Sequence, residues 1–362
     1  MRKLRIAFVS AGQLGHVGAY ATFFAGRGHD VHWVTYDPPA RDFGVPTHDI
    51  SRGADAKRAG SKWRYLLSGL AARRVLRSLA PDIVHGHYVT SAGVVCLLAG
   101  FRPYVLTAHG SDVIAAGRSR LWRCVLRRAF GRAALVNAVS DQLAELVRAL
   151  GVPAEKLLVA TPGVDTKTFD YREPEVGRSP VRLLCTRTLA PVYDPGTILR
   201  ACAILRDRGV DFRLTFAAGG PMETSLRNEA IGAGLRDRIE FLGGFANAAL
   251  PGLLHEHDIY VSAAAWDGTS ISLLEAMACG TFPVVSRTPS NRSWLEEGRT
   301  ALMFDCGDAE ELAEALRRAA GDPDLRRTAA AANRRVVEER GDRYGNMLRL
   351  ERAYEVVADR PS

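Results

Sequence analysis

Short apolar runs alternate along the chain with longer segments in which apolar residues recur at helical spacing. In the first half the runs predict strands over Leu4–Ser10, Asp30–Thr35, Asp82–His85, Tyr104–Thr107 and Ala134–Ala138. Helices are predicted over Val17–Gly26, Trp63–Leu79, Ser91–Leu98, Arg120–Phe130 and Asp141–Leu150. In the second half strands are predicted over Val181–Thr186, Phe212–Ala217, Ile239–Leu242, Ile259–Val261, Phe282–Ser286 and Ala301–Phe304, with helices between them and after Asp308. Strands this apolar are those of parallel sheets covered on both faces. Two such sets in series predict two doubly wound, Rossmann-like α/β domains. The expected division is an N-terminal domain over 1–165, a polar, proline-containing linker over 166–180, and a C-terminal domain over 181–340. The closing segment 341–362 is read as a helix returning to the N-terminal domain. Ligands of such sheets lie beyond the carboxyl ends of the strands, so two domains are expected to face a cleft lined by strand-to-helix loops.

Composition narrows the class without changing this picture. With 362 residues, 47% hydrophobic and 24% charged, the chain is that of a soluble globular protein and not of a disordered or coiled-coil one. Its six cysteines are scattered singly, which excludes a zinc ribbon or disulfide scaffold and fits reduced thiols in the cytoplasm. The apolar start Ile6–Val9 is too short for a secretory signal, and the run Val89–Phe101 falls well short of the ~20 residues of a membrane span.

The net charge of +8 is local in origin. Residues 51–80 carry eight basic side chains against Asp55 alone, and Arg118–Arg132 carries six arginines and no acid. In the second segment Leu121, Trp122, Val125, Leu126, Ala129 and Phe130 form a helical stripe opposite Arg120, Arg123 and Arg127. The stripe is expected to pack on the protein's own sheet. The basic face is left for an anionic partner, such as the inner face of a membrane in peripheral contact. No aromatic-interleaved patch accompanies the charge, so nucleic acid is not expected as a partner.

Three loops carry candidate chemistry. Ser10-Ala11-Gly12-Gln13-Leu14-Gly15-His16-Val17-Gly18 follows a strand and opens a helix, with glycines that let the backbone approach a ligand. Its G-x-x-G-x-x-G spacing departs from the dinucleotide fingerprint. Thr107-Ala108-His109-Gly110-Ser111-Asp112 places an imidazole at the end of a strand. In Trp266-Asp267-Gly268-Thr269-Ser270-Ile271-Ser272 a turn opens a helix near Ser270 or Ile271, whose first unpaired amides form an anion site. Glu275 follows Asp267 by eight residues, so two carboxylates bracket that site. Arg187, ending the first strand of the second domain, supplies a cation able to pair with phosphate. The tripeptide Asp322-Pro323-Asp324 mimics a metal-binding D-x-D, yet it stands where a turn and helix cap are expected. No other cluster has metal-ligand spacing.

These residues resemble glycosyltransferase family 4, with the GT-B fold, along nearly the whole chain. The most specific stretch is Asp267–Gly280, which is similar to the family's E-x7-E motif. Supporting stretches are Pro81–His87, Thr107–Asp112, Asn137–Ser140 and the P-G-V-D of Leu157–Phe169. The resemblance implies a retaining transfer of a sugar, a hexose by expectation, from a nucleotide-diphosphate sugar to a glycan, lipid-linked or small-molecule acceptor. No cofactor or essential metal is implied. By position, Glu275 would hold the ribose hydroxyls, and Asp267 hydroxyls of the donor sugar. Gly268, Thr269, Ser270, Ile271 and Ser272 would offer amides and hydroxyls to sugar and diphosphate. Arg187 would neutralise the leaving diphosphate, His109 would line the sugar pocket, and Gly15 would let its loop approach the phosphates. Two positions depart from the family pattern. Asp267 stands where glutamate is common, and no lysine follows Arg187, where Tyr193 is the candidate neutral donor to phosphate. A non-catalytic nucleotide-sugar binder and a nucleotide-sugar 2-epimerase remain the alternatives.

Overall fold

The structure is a computed structural model that describes residues 2–12, 15–40, 42–51, 64–110, 112–114, 119–175, 177–244 and 247–359. Gln13, Leu14, Ser111, Arg118, Trp63 and the basic residues Arg52, Lys57, Arg58 and Lys62 lie outside the described residues. By residue contacts the chain falls into two compact units, Met1–Pro162 with Tyr344–Ser362, and Gly163–Arg343.

Strands β1 (Arg5–Ser10), β2 (Asp30–Thr35), β3 (Thr47–Asp49), β4 (Ile83–His87), β5 (Tyr104–Ala108), β6 (Leu135–Ala138) and β7 (Leu157–Val159) belong to the first unit. The second holds β8 (Val181–Cys185), β9 (Phe212–Phe216), β10 (Ile239–Phe241), β11 (Ile259–Ser262), β12 (Phe282–Ser286) and β13 (Leu302–Phe304). The helices are α1 (Gly15–Gly26), α2 (Arg64–Leu79), α3 (Gly93–Ala99), α4 (Arg120–Arg132), α5 (Asp141–Ala149), α6 (Pro195–Asp207), α7 (Glu223–Gly232), α8 (Leu250–His255), α9 (Ile271–Cys279), α10 (Pro289–Arg292), α11 (Ala309–Gly321), α12 (Pro323–Val336) and α13 (Arg343–Ala358).

In the first unit the sheet order is β3-β2-β1-β4-β5-β6-β7, all parallel. Strand order reverses between β1 and β4, the place where such folds bind ligands. Alternation along β1 sends Ala7 and Val9 into a core shared with α2 to α5, and Ile6 and Phe8 into one shared with α1 and α13. Helix α13 is tied to this unit by polar bonds as well as packing. Buried Glu351 accepts from Arg27 and pairs with His29, and the Tyr354 hydroxyl bonds Nδ1 of buried His85. The ring of Tyr354 stacks on Phe24 at 5.1 Å.

The second sheet has the order β10-β9-β8-β11-β12-β13, again parallel, and its order reverses between β8 and β11. Leu183, Leu214, Val261 and Val284 face a core built with α6, α7 and α11. On the other face Leu184, Tyr260, Val285 and Met303 pack with Leu273, Leu274 and Met277 of α9. The polar stretch after Asp165 packs within this unit: Phe169 is buried in its core, and the Arg334 guanidinium donates to the carbonyls of Thr166 and Phe169.

Three details differ from the sequence-based expectation. Strands β3 and β7 were not expected: Thr47-His48-Asp49 has no apolar residue, and Leu157–Val159 was read only as part of the stretch that ends in P-G-V-D. The helix expected from Ser91 is preceded by a π-helical turn, Tyr88–Ala92, which starts from a left-handed Tyr88 at φ 73°. Of the α4 stripe, Leu126, Ala129 and Phe130 are buried, but Leu121 lies 74% exposed because it falls on the flank of the packed face. Most of the cysteines, four of the six, are buried as their apolar surroundings suggest, and Cys124 and Cys306 are exposed. Asp322 caps α12 by accepting the Leu325 amide at 2.8 Å, so the D-x-D sequence is a helix start.

Candidate active site

In the second unit the loops after β8 and β11 flank the reversal of strand order and bring the predicted residues together. Arg187 follows β8 directly. Its Nη2 donates to Asp267 Oδ2 at 2.6 Å, and its Nη1 to the hydroxyls of Ser270 at 3.2 Å and Ser272 at 3.1 Å. The face of Tyr193 lies 4.1 Å from the guanidinium carbon. Tyr193 therefore meets the arginine as a stacking partner, a contact its expected role as a phosphate donor did not include. Its 3-10 turn, Pro191–Tyr193, is followed by Asp194 at φ 41°, whose carboxylate caps α6 through the Thr197 amide and hydroxyl.

The loop after β11 turns into α9 at Ser270, whose hydroxyl accepts the Leu273 amide at 3.3 Å as an N-cap. The first helical amides, those of Ile271 and Ser272, have no protein acceptor among the described residues. They form the open end of the helix, and Arg187 lies within hydrogen-bond distance of the side chains there. The Gly268 amide, expected to be offered to ligand, is taken by Asp267 Oδ1 at 3.0 Å, and the Gly268 carbonyl accepts from Ser290. Thr269 lies in the same turn. Ser272 is steadied by the hydroxyl of buried Tyr260 at 2.9 Å. Glycine is required in the neighbouring loop after β9: a Cβ on Gly220 would stand 2.4 Å from the Leu189 carbonyl oxygen, where the two loops bond through their backbones.

Glu275 lies one turn further along α9 and lines a cavity of about 410 Å³ with Asp165, Thr168, Thr186, Ser272 and Arg343. Burial pushes its carboxyl up to about 7, against the opposing pull of the Arg343 and Arg187 guanidinium groups. Thr186 carries a buried hydroxyl without a hydrogen-bond partner among the described residues. Tyr260, Thr186, Asp165 and Arg343 were not singled out from the sequence. Tyr260 reads there as one more apolar strand residue, and Arg343 lies 68 positions from Glu275 with no local pattern to connect them.

The first unit holds His109 just past β5. Its Nε2 is 3.2 Å from Nδ1 of His87, and its ring stacks on Tyr88 at 4.5 Å with a 17° tilt. The loop is built on buried Asp112, which accepts from the backbone amides of Val89, Gly110, Val113 and His109. Asp112, quoted in the motif but not expected as a site residue, therefore sets the path that carries the imidazole. The left-handed Tyr88 is the strained partner of this arrangement. Gly15 begins α1 after the β1 loop, where a Cβ on Gly12 would overlap the Pro38 carbonyl oxygen at 2.1 Å. Among the described residues no group of three or more His, Cys, Asp or Glu side chains could hold a metal ion.

Two family profiles match the chain. Residues 12–168 match that described as Glycosyltransferase Family 4, and residues 169–336 that described as Glycosyl transferases group 1. The amylovoran biosynthesis glycosyltransferase AmsK of Erwinia amylovora is 28% identical over 65% of this chain and 60% of its own. The MMP alpha-(1->4)-mannosyltransferase of Mycolicibacterium hassiacum is 26% identical over 92% of this chain and 94% of its own. The chain spans 60 to 70% of the length of the first enterobacterial relatives it matches. Among solved structures, Anabaena Alr3699/HepE in complex with UDP superposes with a TM-score of 0.78 at 17% identity, over 98% of this chain and 100% of its own. With the profiles and the paired parallel sheets together, the chain belongs to the GT-B glycosyltransferases of the family 4 type.

Proposed function

We propose that this protein transfers a hexosyl group, with retention of anomeric configuration and without an essential metal, from a nucleotide-diphosphate sugar to a glycan, lipid-linked or small-molecule acceptor. The observation that carries this reading is the convergence of Arg187, the open amides of α9 and half-buried Glu275 on one end of the second sheet. When the bond from sugar to phosphate breaks, its electrons pass to the departing phosphate oxygen. The acceptor hydroxyl oxygen bonds to the anomeric carbon on the same face, and its proton passes to that phosphate oxygen. Arg187 and the amides of Ile271 and Ser272 are aimed where this charge grows, so they stabilise the transition state more than the bound donor. Glu275, once ionised, accepts from the two ribose hydroxyls. The resemblance assigns the sugar hydroxyls to Asp267 and His109, and the close approach to the phosphates to the loop at Gly15.

Relatives described as GDP-mannose-dependent and a solved neighbour holding UDP-glucose make GDP- and UDP-sugars the first donors to try. The test incubates the purified protein with a panel of UDP-, GDP- and ADP-sugars, with and without EDTA, and follows nucleoside diphosphate release. One donor is expected to be turned over at a rate that EDTA leaves unchanged. Binding without release would make the protein a nucleotide-sugar binder, epimerised donor without release an isomerase, and loss of turnover in EDTA a metal-dependent transferase.

The acceptor side of this reading includes an anionic membrane surface. Helix α3 packs against both α2 and α4. Across α2 and α4 the exposed residues include Arg73, Arg74, Arg77, Arg120, Arg123, Arg127, Arg128 and Arg132, with no acid in either helix. Leu67, Leu70 and Leu121 stand 56%, 64% and 74% exposed on the same helices. No helix of the described residues is long and apolar enough to cross a membrane. Exposed leucines among arginines that have no acidic partner among the described residues suit the boundary between anionic headgroups and acyl chains. At about 1 kcal/mol per basic residue, changing Arg123, Arg127 and Arg128 together to glutamine should weaken cosedimentation with phosphatidylglycerol vesicles by about 100-fold. Unchanged vesicle binding would remove this surface from the reading.

A further inference from the structure

The pairing of Arg187 with Asp267 is not what the assignment of one to diphosphate and the other to sugar requires. Both side chains are largely withdrawn from solvent, 13% and 20% exposed, and their charged atoms are 2.6 Å apart. The other Asp267 oxygen accepts the Gly268 amide at 3.0 Å. One carboxylate thus occupies a cation and a loop amide together, the same kinds of donor that a phosphate oxygen would take.

The guanidinium does not depend on Asp267 for its place. Ser270 and Ser272 hold Nη1, Tyr193 covers its face, and Tyr260 in turn holds Ser272. Removing the Asp267 charge therefore leaves a positioned arginine with its counter-ion gone. Among the described residues Asp267 has no comparable second anchor, because its other contact there is the adjacent amide of its own loop.

We propose that Asp267 is a displaceable internal counter-ion: it competes with the donor's diphosphate for Arg187 and, once displaced, becomes available to the sugar hydroxyls. This rests on the donor reading above and extends it to an ordered exchange. Diphosphate must take Arg187 before the sugar contact can form, and return of the carboxylate to Arg187 helps the product diphosphate leave. The cost to diphosphate binding is the loss of an ion pair already desolvated by the protein.

Free nucleoside diphosphate separates this role from direct sugar recognition, since it carries no sugar. Titration calorimetry with UDP and GDP at fixed ionic strength compares the native protein with Asp267→Asn, which keeps the side-chain shape and removes the charge. The expected result is a Kd lower by about tenfold in the variant, with stronger product inhibition by the same diphosphate during turnover. A structural defect would not tighten binding. An unchanged Kd would show that Asp267 does not compete for the arginine, and a raised Kd that it positions Arg187; either overturns the exchange. Failure of both proteins to bind any nucleoside diphosphate, with circular dichroism showing both folded, would overturn the donor reading and this inference with it.

Discussion

Replacing Arg187 by alanine is expected to lower kcat/KM for transfer by about 10²–10³-fold while the protein stays folded. That range corresponds to about 2.7–4 kcal/mol, the usual loss when one preorganised donor to a developing anion is removed. Arg187 belongs at the upper end because it is a cation, is held on three sides by Ser270, Ser272 and Tyr193, and is mostly shielded from water. Lysine at the same position keeps the charge but loses the planar fork and the stacking face, so Arg187→Lys should fall between the two. Steady-state release of nucleoside diphosphate gives the rate, and circular dichroism with a thermal melt shows that the fold persists. An alanine variant with native kcat/KM would mean that the leaving group is stabilised elsewhere.

Glu275→Gln is expected to cut donor affinity and, above neutral pH, to stabilise the protein. The carboxyl is raised from an ordinary 4.5 to about 7, with burial as the main cause. Between these values the folded state binds more protons than the unfolded chain, so stability falls as pH rises through that window and stays lower above it. Glutamine removes the penalty. The variant should match the native protein near pH 4 and exceed it at pH 8, by an amount bounded on the order of 3 kcal/mol. Function moves the other way. The ribose hydroxyls need an ionised acceptor, so native donor affinity should rise as pH passes about 7, while the glutamine variant is flat and weaker by about 10–100-fold. The groups facing Glu275 are Asp165 of the segment after β7, Arg187 after β8 and Arg343 at the start of α13. Melting curves and donor titrations at pH 5 and 8 check both halves. A glutamine variant less stable than the native protein at pH 8 would show that the carboxylate serves the fold instead of the ligand.

The Glu275 prediction places function at a cost to stability. A half-buried carboxyl raised toward neutrality is a feature a purely structural helix would avoid. It is not explained by the packing of α9, whose Leu273, Leu274 and Met277 are buried in the core beneath.

Much of this arrangement was legible along the chain. The buried strands are continuous apolar runs, and their edges fall within a residue or two of those expected, as with β2 and β12. Asp322 reads as a turn and cap because a carboxylate before Pro323 satisfies the amide three residues on, which is local chemistry. The spacing of Asp267 and Glu275 likewise needs only the rise and turn of a helix. These features depend on neighbours within one or two turns, so the order of residues suffices to specify them.

The tertiary structure decided what depends on distant partners. Arg187 and Asp267 are 80 residues apart, and only the adjacency of β8 and β11 in the sheet makes them an ion pair. The same adjacency places Tyr260 under Ser272, and the path of the chain back to Arg343 adds that cation to the cavity of Glu275. The pairing of His109 with His87 follows from the neighbouring β4 and β5. Whether an arginine is free or paired, and whether a glutamate titrates near 4.5 or near 7, is set by desolvation and by charges that folding brings within a few ångströms. The sequence by itself determined the two sheets, the cap at Asp322 and which polar residues stand in the loops after the strands. Their charge states and mutual contacts came from strands that are neighbours in space and not in order.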